Sequence, residues 1–302
     1  MLQPRDTAEV TGRDRLLVFL LAFAWGGNWI AVAIGVHGET PWSLRFLGSA
    51  LGALTLIAAA WLTGHTLKVP RAERIHVMIA GFLNVACFQI FSAFAQLNGA
   101  TSRVIILTYS MPIWTTIMSR FLLGERLNAV RRLAIALCAA GLAVLVWPLF
   151  AHGVPATVFL GLGCAIVWGG ATVYLKWVKV TVPPLANAAW QLVFGFLFIA
   201  AGTFVFEGVP HVRGLTLETW AAILFMGVVG TGFAHFLWWS IAGRLSPITA
   251  SIGSLMVPVV GVLGSVVLLN ERPTLTDAAG FVLIFGAASC VLLMPALGGA
   301  KA

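Results

Sequence analysis

The sequence predicts an all-α integral membrane protein of ten transmembrane helices built from two inverted five-helix repeats. Three observations carry this. The 302-residue chain is 60% hydrophobic and 9% charged, with a mean hydropathy of +0.98. Soluble domains carry about 25% charged residues, so a soluble globular protein is excluded, as are polar disordered chains and Cys-dense secreted scaffolds. Runs such as Leu16 to Ala33 and Leu133 to Trp147 are apolar all round, which points to helices rather than the alternating strands of a barrel. Finally, the second half of the chain repeats the first.

Clusters of charged, Pro and Gly residues divide the chain into crossings at 15–34, 41–63, 75–97, 104–123, 131–150, 156–178, 184–206, 219–242, 247–269 and 275–294, each near the ~20 residues that span a bilayer core. The first follows Arg13 and Arg15 and contains Ala31-Val32-Ala33, as a signal peptide would. Its apolar run is longer than a signal core, and its Trp25-Gly26-Gly27 recurs in the sixth crossing as Trp168-Gly169-Gly170, so it is read as retained. The second begins at Pro41, and the third follows the basic stretch Lys68, Arg71, Arg74. The fourth and ninth contain Pro112 and Pro258, where a kink is expected because each removes one helical hydrogen bond and frees the carbonyl of Thr108 or Ser254. The fifth follows Arg126, Arg131 and Arg132, and the seventh follows Lys176 and Lys179. Glu207 to Glu218 precedes the eighth, and a short polar link precedes the tenth. No connection is large enough to fold alone, so residues 1–302 read as one membrane domain.

The net charge of +8 is topological. With a cytoplasmic N-terminus and strict alternation, Arg5, Arg13, Arg15, Lys68, Arg71, Arg74, Arg120, Arg126, Arg131, Arg132, Lys176, Lys179, Arg244 and Lys301 fall inside, and Arg103, Arg213 and Arg272 outside; Arg45, within the start of the second crossing, is left unassigned. The positive-inside rule therefore puts both termini in the cytoplasm and supports an even number of crossings. Lipid headgroups, not nucleic acid, are the expected partners of the basic face. Cys87, Cys138, Cys164 and Cys290 lie in apolar segments without metal-ligand spacing, so neither a metal, a cofactor nor a disulfide framework is expected.

Gly81 and Gly227, Pro112 and Pro258, and Glu125-Arg126 and Glu271-Arg272 correspond at an offset of 146, and the Trp-Gly-Gly motifs at 143. The chain is thus read as a duplication of residues 15–150 and 156–294, and five crossings per unit, an odd number, make the second copy inverted. Inverted repeats characterise secondary transporters working by alternating access. Half one carries Tyr109-Ser110-Met111-Pro112 and Leu122-Leu123-Gly124-Glu125-Arg126-Leu127; half two carries Leu255-Met256-Val257-Pro258 and Leu268-Leu269-Asn270-Glu271-Arg272-Pro273. With both Trp-Gly-Gly motifs, this resembles the EamA family of the drug/metabolite transporter (DMT) superfamily over about the whole chain. The resemblance implies a ten-helix inner-membrane metabolite carrier, often an exporter. The Trp-, Phe- and Gly-rich interior is similar to aromatic amino acid exporters of the YddG type. Half two departs at Asn270 and Pro273, so the two loops are not expected to share one geometry.

Polar groups inside crossings are the candidates for a substrate path, because facing lipid is costly. Gln89, Ser92 and Gln96 share one helical face, and so do Thr231, His235 and Trp238. The offset pairs Gln89 with His235, one toward the outer and the other toward the inner face, as opposite ends of one path. An interhelical hydrogen bond for Gln89 and a neutral core role for His235 are the alternatives. Trp25 and Trp168 at the centres of their crossings, with Tyr109, Trp114 and Trp238, offer faces for an aromatic or planar cationic solute, or simple packing. Trp42, Trp61, Trp147, Trp177 and Trp220 read as interfacial anchors. Asn28 is polar at mid-depth where half two has Ala171. Gly26-Gly27 and Gly169-Gly170 are read as close helix contacts, Pro112 and Pro258 as gating kinks, and Glu125 and Glu271 as partners of Arg126 and Arg272 or of the next helix.

No Asp or Glu lies in mid-membrane, which predicts facilitated or potential-driven transport rather than proton antiport. The expected function is export of amino acids, aromatic and other neutral, or related small metabolites by a monomer. A multidrug or organic-cation exporter is the alternative, with a channel or a membrane-embedded enzyme behind it, since no catalytic constellation is present.

Overall fold

The computed structural model describes residues 12–148, 154–210, 212, 214–242 and 247–298, the side chains of 12–15, 240–253, 291 and 293–298 excepted. Arg5, His152, His211, Arg213, Arg244 and Lys301, and the side chains of Arg13 and Arg15, lie outside these. Every regular element among the described residues is helical: α1 (Gly12–Gly38), α2 (Pro41–Leu62), α3 (Arg74–Gly81), a π-helical stretch π1 (Phe82–Cys87), α4 (Phe88–Leu97), α5 (Thr101–Thr108), α6 (Met111–Leu122), α7 (Ala129–Val146), α8 (Ala156–Trp177), α9 (Pro184–Phe206), α10 (Leu217–Leu224), a second π-helical stretch π2 (Phe225–Phe233), α11 (Ala234–Ala242), α12 (Pro247–Leu268) and α13 (Leu275–Gly298). Seven helical stretches are long and apolar enough to cross a membrane, including the continuous rods 71–97 and 217–239, and shorter apolar helices accompany them.

Packing pairs elements from opposite halves of the chain. α1 lies against α12, α6 and α5 against α8, α2 against π2, α9 against π1 and α3, and α7 against α13. Glycines permit the tightest of these crossings. A Cβ on Gly52 would lie 2.6 Å from Thr231 Cγ2 and 3.3 Å from Gly227 O, and one on Gly195 would strike Val85 and lie 3.0 Å from Gly81 O. Gly26 abuts Val260 and the Gly261 amide, while Gly169 abuts Thr115, so both Trp-Gly-Gly motifs serve close helix approach. Each π stretch follows or contains one of the glycines matched at 146, Gly81 and Gly227.

The loops at the ends of α6 and α12 correct an expectation. Despite the Gly124/Asn270 difference, both residues take positive φ (70° and 55°), a region that Asn tolerates better than other L-residues. In both, the following glutamate amide reaches back 3.2 Å to a serine carbonyl, Glu125 to Ser119 and Glu271 to Ser265.

The prolines behave unequally. Instead of a kink in one continuous helix, the chain breaks at Tyr109–Ser110, and Pro112 sits in the first turn of α6, where its missing amide costs nothing. Ser110 Oγ stabilises the break by donating to Leu107 O (2.6 Å) and accepting from Trp114 Nε1 (3.1 Å). Pro258 lies inside the unbroken α12.

One end of the bundle, here the Glu39 end, carries the links 39–40, 98–100 and 269–274; the opposite, Glu125 end carries 63–70, 123–128 and 178–183. Glutamates tie both together, though not through the arginine next in sequence. Glu271 accepts from the amides of Thr101 (2.6 Å) and Ser102 (2.9 Å) at the start of α5, where unpaired amides favour a carboxylate. Glu207 accepts from the Trp42 and Ser43 amides at the start of α2. Arg103 meets Asp277 in a two-pronged pair (Nε to Oδ1 2.9 Å, Nη2 to Oδ2 3.1 Å). At the other end Glu125 pairs with Lys176 (2.7 Å) and Arg131 (3.1 Å), and Glu73 accepts from the Thr181 and Val182 amides ahead of α9. The hydrogen bond from Lys176 outweighs desolvation and, reinforced by the charges of Lys176 and Arg131, holds the Glu125 carboxyl below the usual carboxylate range.

The tryptophans near helix ends divide. Trp61, Trp147 and Trp177 are exposed, as anchors should be. Trp42, stacked 5.2 Å from Phe206, and Trp220, packed onto a buried cluster around Ala31 and Ile223, are instead internal. Nearness to a helix end does not say which way the ring faces.

Candidate substrate path

Three groups of side chains line the interior between the halves. Nearest the Glu125 end, Trp25 of α1 meets His235 edge-on (centroids 5.9 Å) and Trp238 of α11 (5.8 Å). His235 Nδ1 lies 2.7 Å from Thr231 O; a carbonyl only accepts, so Nδ1 carries the proton and Nε2 of the neutral ring remains an acceptor. Thr231 lies one turn before His235, within the π2 stretch, and its side chain packs on Gly52 of α2.

Toward the Glu39 end lies a polar group from α2 and α4. Ser49 Oγ donates to Gln89 Oε1 (2.7 Å), so Gln89 forms an interhelical hydrogen bond. Ser92 Oγ donates to Gln89 O (3.0 Å) and accepts from Arg45 Nη2 (2.7 Å), while Arg45 Nη1 approaches Met226 Sδ (3.3 Å). Arg45 is 3% exposed and its Nε has no partner. Gln96, one turn beyond Ser92, donates Nε2 to Ser92 O (3.3 Å) and leaves Oε1 unpartnered. Gln96 also forms part of the wall of a cavity of about 630 Å³ that Ala33, His37, Thr101, Glu218 and Glu271 complete at the Glu39 end. That volume falls in the range of small-molecule sites.

A second aromatic group joins Trp168 of α8 to Phe88 of α4 (5.0 Å), Phe88 to Trp29 of α1 (6.2 Å), and Tyr109 to the same cluster. The two Trp-Gly-Gly tryptophans therefore belong to different groups. Asn28, one turn from Trp25, abuts Gly230, and its Oδ1 is buried without a partner.

Sequence reasoning missed Arg45, the Asn84–Gln191 pair and Phe88. Arg45 was set aside as a residue near a helix end, yet it is buried, whereas Arg120 is exposed; a lone charge within an apolar run was the available signal. Asn84 of π1 donates to Gln191 of α9 (2.9 Å), whose amide bonds Asn187 (3.0 Å). Asn84 and Gln191 lie inside the third and seventh crossings, where polarity within an apolar run was the available signal. Phe88, the bridge between Trp29 and Trp168, carries no sequence signal that separates it from other core phenylalanines.

The fold and these groups define a polytopic helical membrane protein whose packed halves enclose polar and aromatic residues beneath a solute-sized cavity. A family model described as the EamA-like transporter family matches residues 15–147 and again 155–293. The chain belongs to that family and is a transporter, not an enzyme. A Bacillus subtilis protein named "Uncharacterized transporter YoaV" is 25% identical over 279 residues, covering 88% of this chain and 92% of its own. A Salmonella typhimurium protein named "Probable amino-acid metabolite efflux pump" is 25% identical over 289 residues, covering 90% and 92%. A solved crystal structure superposes with a TM-score of 0.65 at 22% identity, covering 93% of this chain and 98% of the other; at that identity it supports the fold alone.

Proposed function

We propose that the protein exports amino acids, aromatic and other neutral, or related small metabolites across the cytoplasmic membrane by alternating access. In this reading the chain is one membrane domain of ten crossings, built from inverted five-helix repeats at 15–150 and 156–294, working as a monomer with both termini cytoplasmic. The Glu39 end is then outside. The observation that carries the reading is the sequence of interior groups: Trp25, His235 and Trp238 toward the cytoplasm, then Asn28, then Gln89 and Ser92, then the outer cavity. The cross-half packing supports the repeat, since two similar halves that grip each other can exchange conformations. The efflux-pump names of relatives support the direction and the amino acid class, and the aromatic groups favour YddG-like substrates.

All described carboxylates lie near helix ends, so transport is facilitated or driven by potential rather than by tight proton exchange. The organic-cation alternative is disfavoured by Arg45, a cation buried among the path residues. The break at Tyr109–Ser110 beside Pro112, together with Pro258, supplies the two points at which the path bends. Purified protein in liposomes tests this with aromatic, aliphatic and hydroxy amino acids and a planar dication, at two pH values and two potentials. Saturable amino acid flux without stoichiometric proton counterflow is expected, reduced by both Gln89→Ala and His235→Ala. Unchanged flux of every substrate in both variants refutes the path.

A further inference from the structure

We infer that Arg45 is the carboxylate-recognition residue of the path, taking the α-carboxylate of a zwitterionic substrate while the Gln96 side-chain carbonyl faces its ammonium. This rests on the amino acid reading above and names how one end of the substrate is held. A guanidinium presents five N–H donors and cannot shed its charge in a protein. Here it has one good acceptor, Ser92 Oγ, one weak one, Met226 Sδ, and an orphaned Nε. No described carboxylate lies within 4 Å of it. Each described acid except Glu218 hydrogen-bonds or pairs with other groups near a helix end: Glu39, Glu73, Glu125, Glu207, Glu271 and Asp277. A buried charge without its counter-charge is strongly disfavoured, and a fixed planar fork matches a carboxylate in two-pronged geometry.

The charge of the missing partner follows from the surroundings. The groups touching the guanidinium are neutral, so a single negative charge balances the site and a phosphate dianion does not. One turn toward the cavity, Gln96 Oε1 is a second orphan of opposite kind, an acceptor without a donor. Spare donors on α2 and a lone acceptor on α4, one turn beyond the Ser92 that Arg45 bonds, fit the two charged groups of an amino acid. The position corresponding to Arg45 in the second half, at offset 143, is Ala188, so this end of the path is unique to the first half. Gln96 lines the cavity and the buried Arg45 does not, so in this assignment the ligand reaches Arg45 when the Gln96 side chain moves.

The test is calorimetric titration of purified full-length protein with L-phenylalanine, 3-phenylpropionate, phenylethylamine and phenylalaninamide. The two carboxylates are expected to bind about tenfold to a hundredfold more tightly than the two ligands lacking one, the scale of charge-assisted hydrogen bonds. Arg45→Met should erase that gap by weakening the carboxylates alone, with Arg45→Lys intermediate. If Arg45→Met does not yield folded protein, Ser92→Ala, which frees the guanidinium from its anchor, should narrow the same gap. Equal binding of all four ligands by the wild type, no binding of any, a gap untouched by the substitutions, or a uniform loss across ligands each overturns the assignment. The 3-phenylpropionate arm separates the two readings. Arg45-dependent binding of this simple acid by a protein that moves no amino acid in liposomes leaves the carboxylate site standing and removes the exporter.

Discussion

Adding one methyl group at Gly195 tests whether the halves are held by backbone-to-backbone contact. Gly195 lies where α9 crosses π1; its new Cβ would overlap Val85 and come within 3.0 Å of Gly81 O, against about 3.4–4 Å in ordinary carbon contacts. Val85 is β-branched on a helix and has little rotamer freedom, so the rods must separate by several tenths of an ångström. Overpacking of this kind costs about 1–3 kcal/mol. Gly286 is the internal standard, because its Cβ would meet nothing within 4 Å, and alanine in a helix interior is favoured over glycine by up to about 1 kcal/mol. Thermal unfolding of the purified full-length variants should therefore move in opposite directions: down for Gly195→Ala, level or up for Gly286→Ala. If both shift alike, or Gly195→Ala melts with the wild type, the close crossing is not what holds these helices.

Asp277→Asn should lower stability by about 2–3 kcal/mol, because it leaves the Arg103 guanidinium half-buried without its two-pronged partner; in unfolding experiments the Arg103→Gln, Asp277→Asn pair should lose less than the sum of the singles, and strict additivity would deny the coupling. Glu125 predicts an acid limb. Its carboxyl is lowered by Lys176 and Arg131, so its stabilisation is complete above the ordinary carboxylate value of about 4.5 and disappears as pH falls from there through the lowered value. Melting curves of Glu125→Gln should be flatter than wild type over that window, and parallel curves would remove Glu125 as a contributor.

The apolar helices were legible because span length and all-round hydrophobicity are local properties, and they begin and end within a few residues of where charges and prolines fall. What was not legible depends on register or on distant partners. The π turns widen two helices without changing composition, so the stretches 82–87 and 225–233 have no mark in residue spacing, nor does the packing of Thr231 on Gly52. The break at Tyr109–Ser110 comes from the Ser110 hydroxyl competing for Leu107 O, a choice that the presence of Pro112 alone does not dictate. Arg45 is four residues from the start of α2, and only Ser92 and Met226, 47 and 181 residues further on, make it interior. Gln89 and His235, by contrast, stand out in the sequence as polar residues inside apolar runs, whatever their neighbours.

The exchange of partners between halves bears on how the chain is made. Gly26 of α1 meets Val260 of α12, and Gly48 of α2 meets Met226 of π2; at about 5–20 residues per second, α1 waits roughly 10–50 s after synthesis before its partner exists. During that interval the Gly26 face of α1 lacks its α12 partner, and for most of it Arg45 lacks Met226. Neither half holds all of its packing partners alone. The contacts between halves are complete only once α12 has been made, and a chain ended before it lacks the surface on which α1 packs.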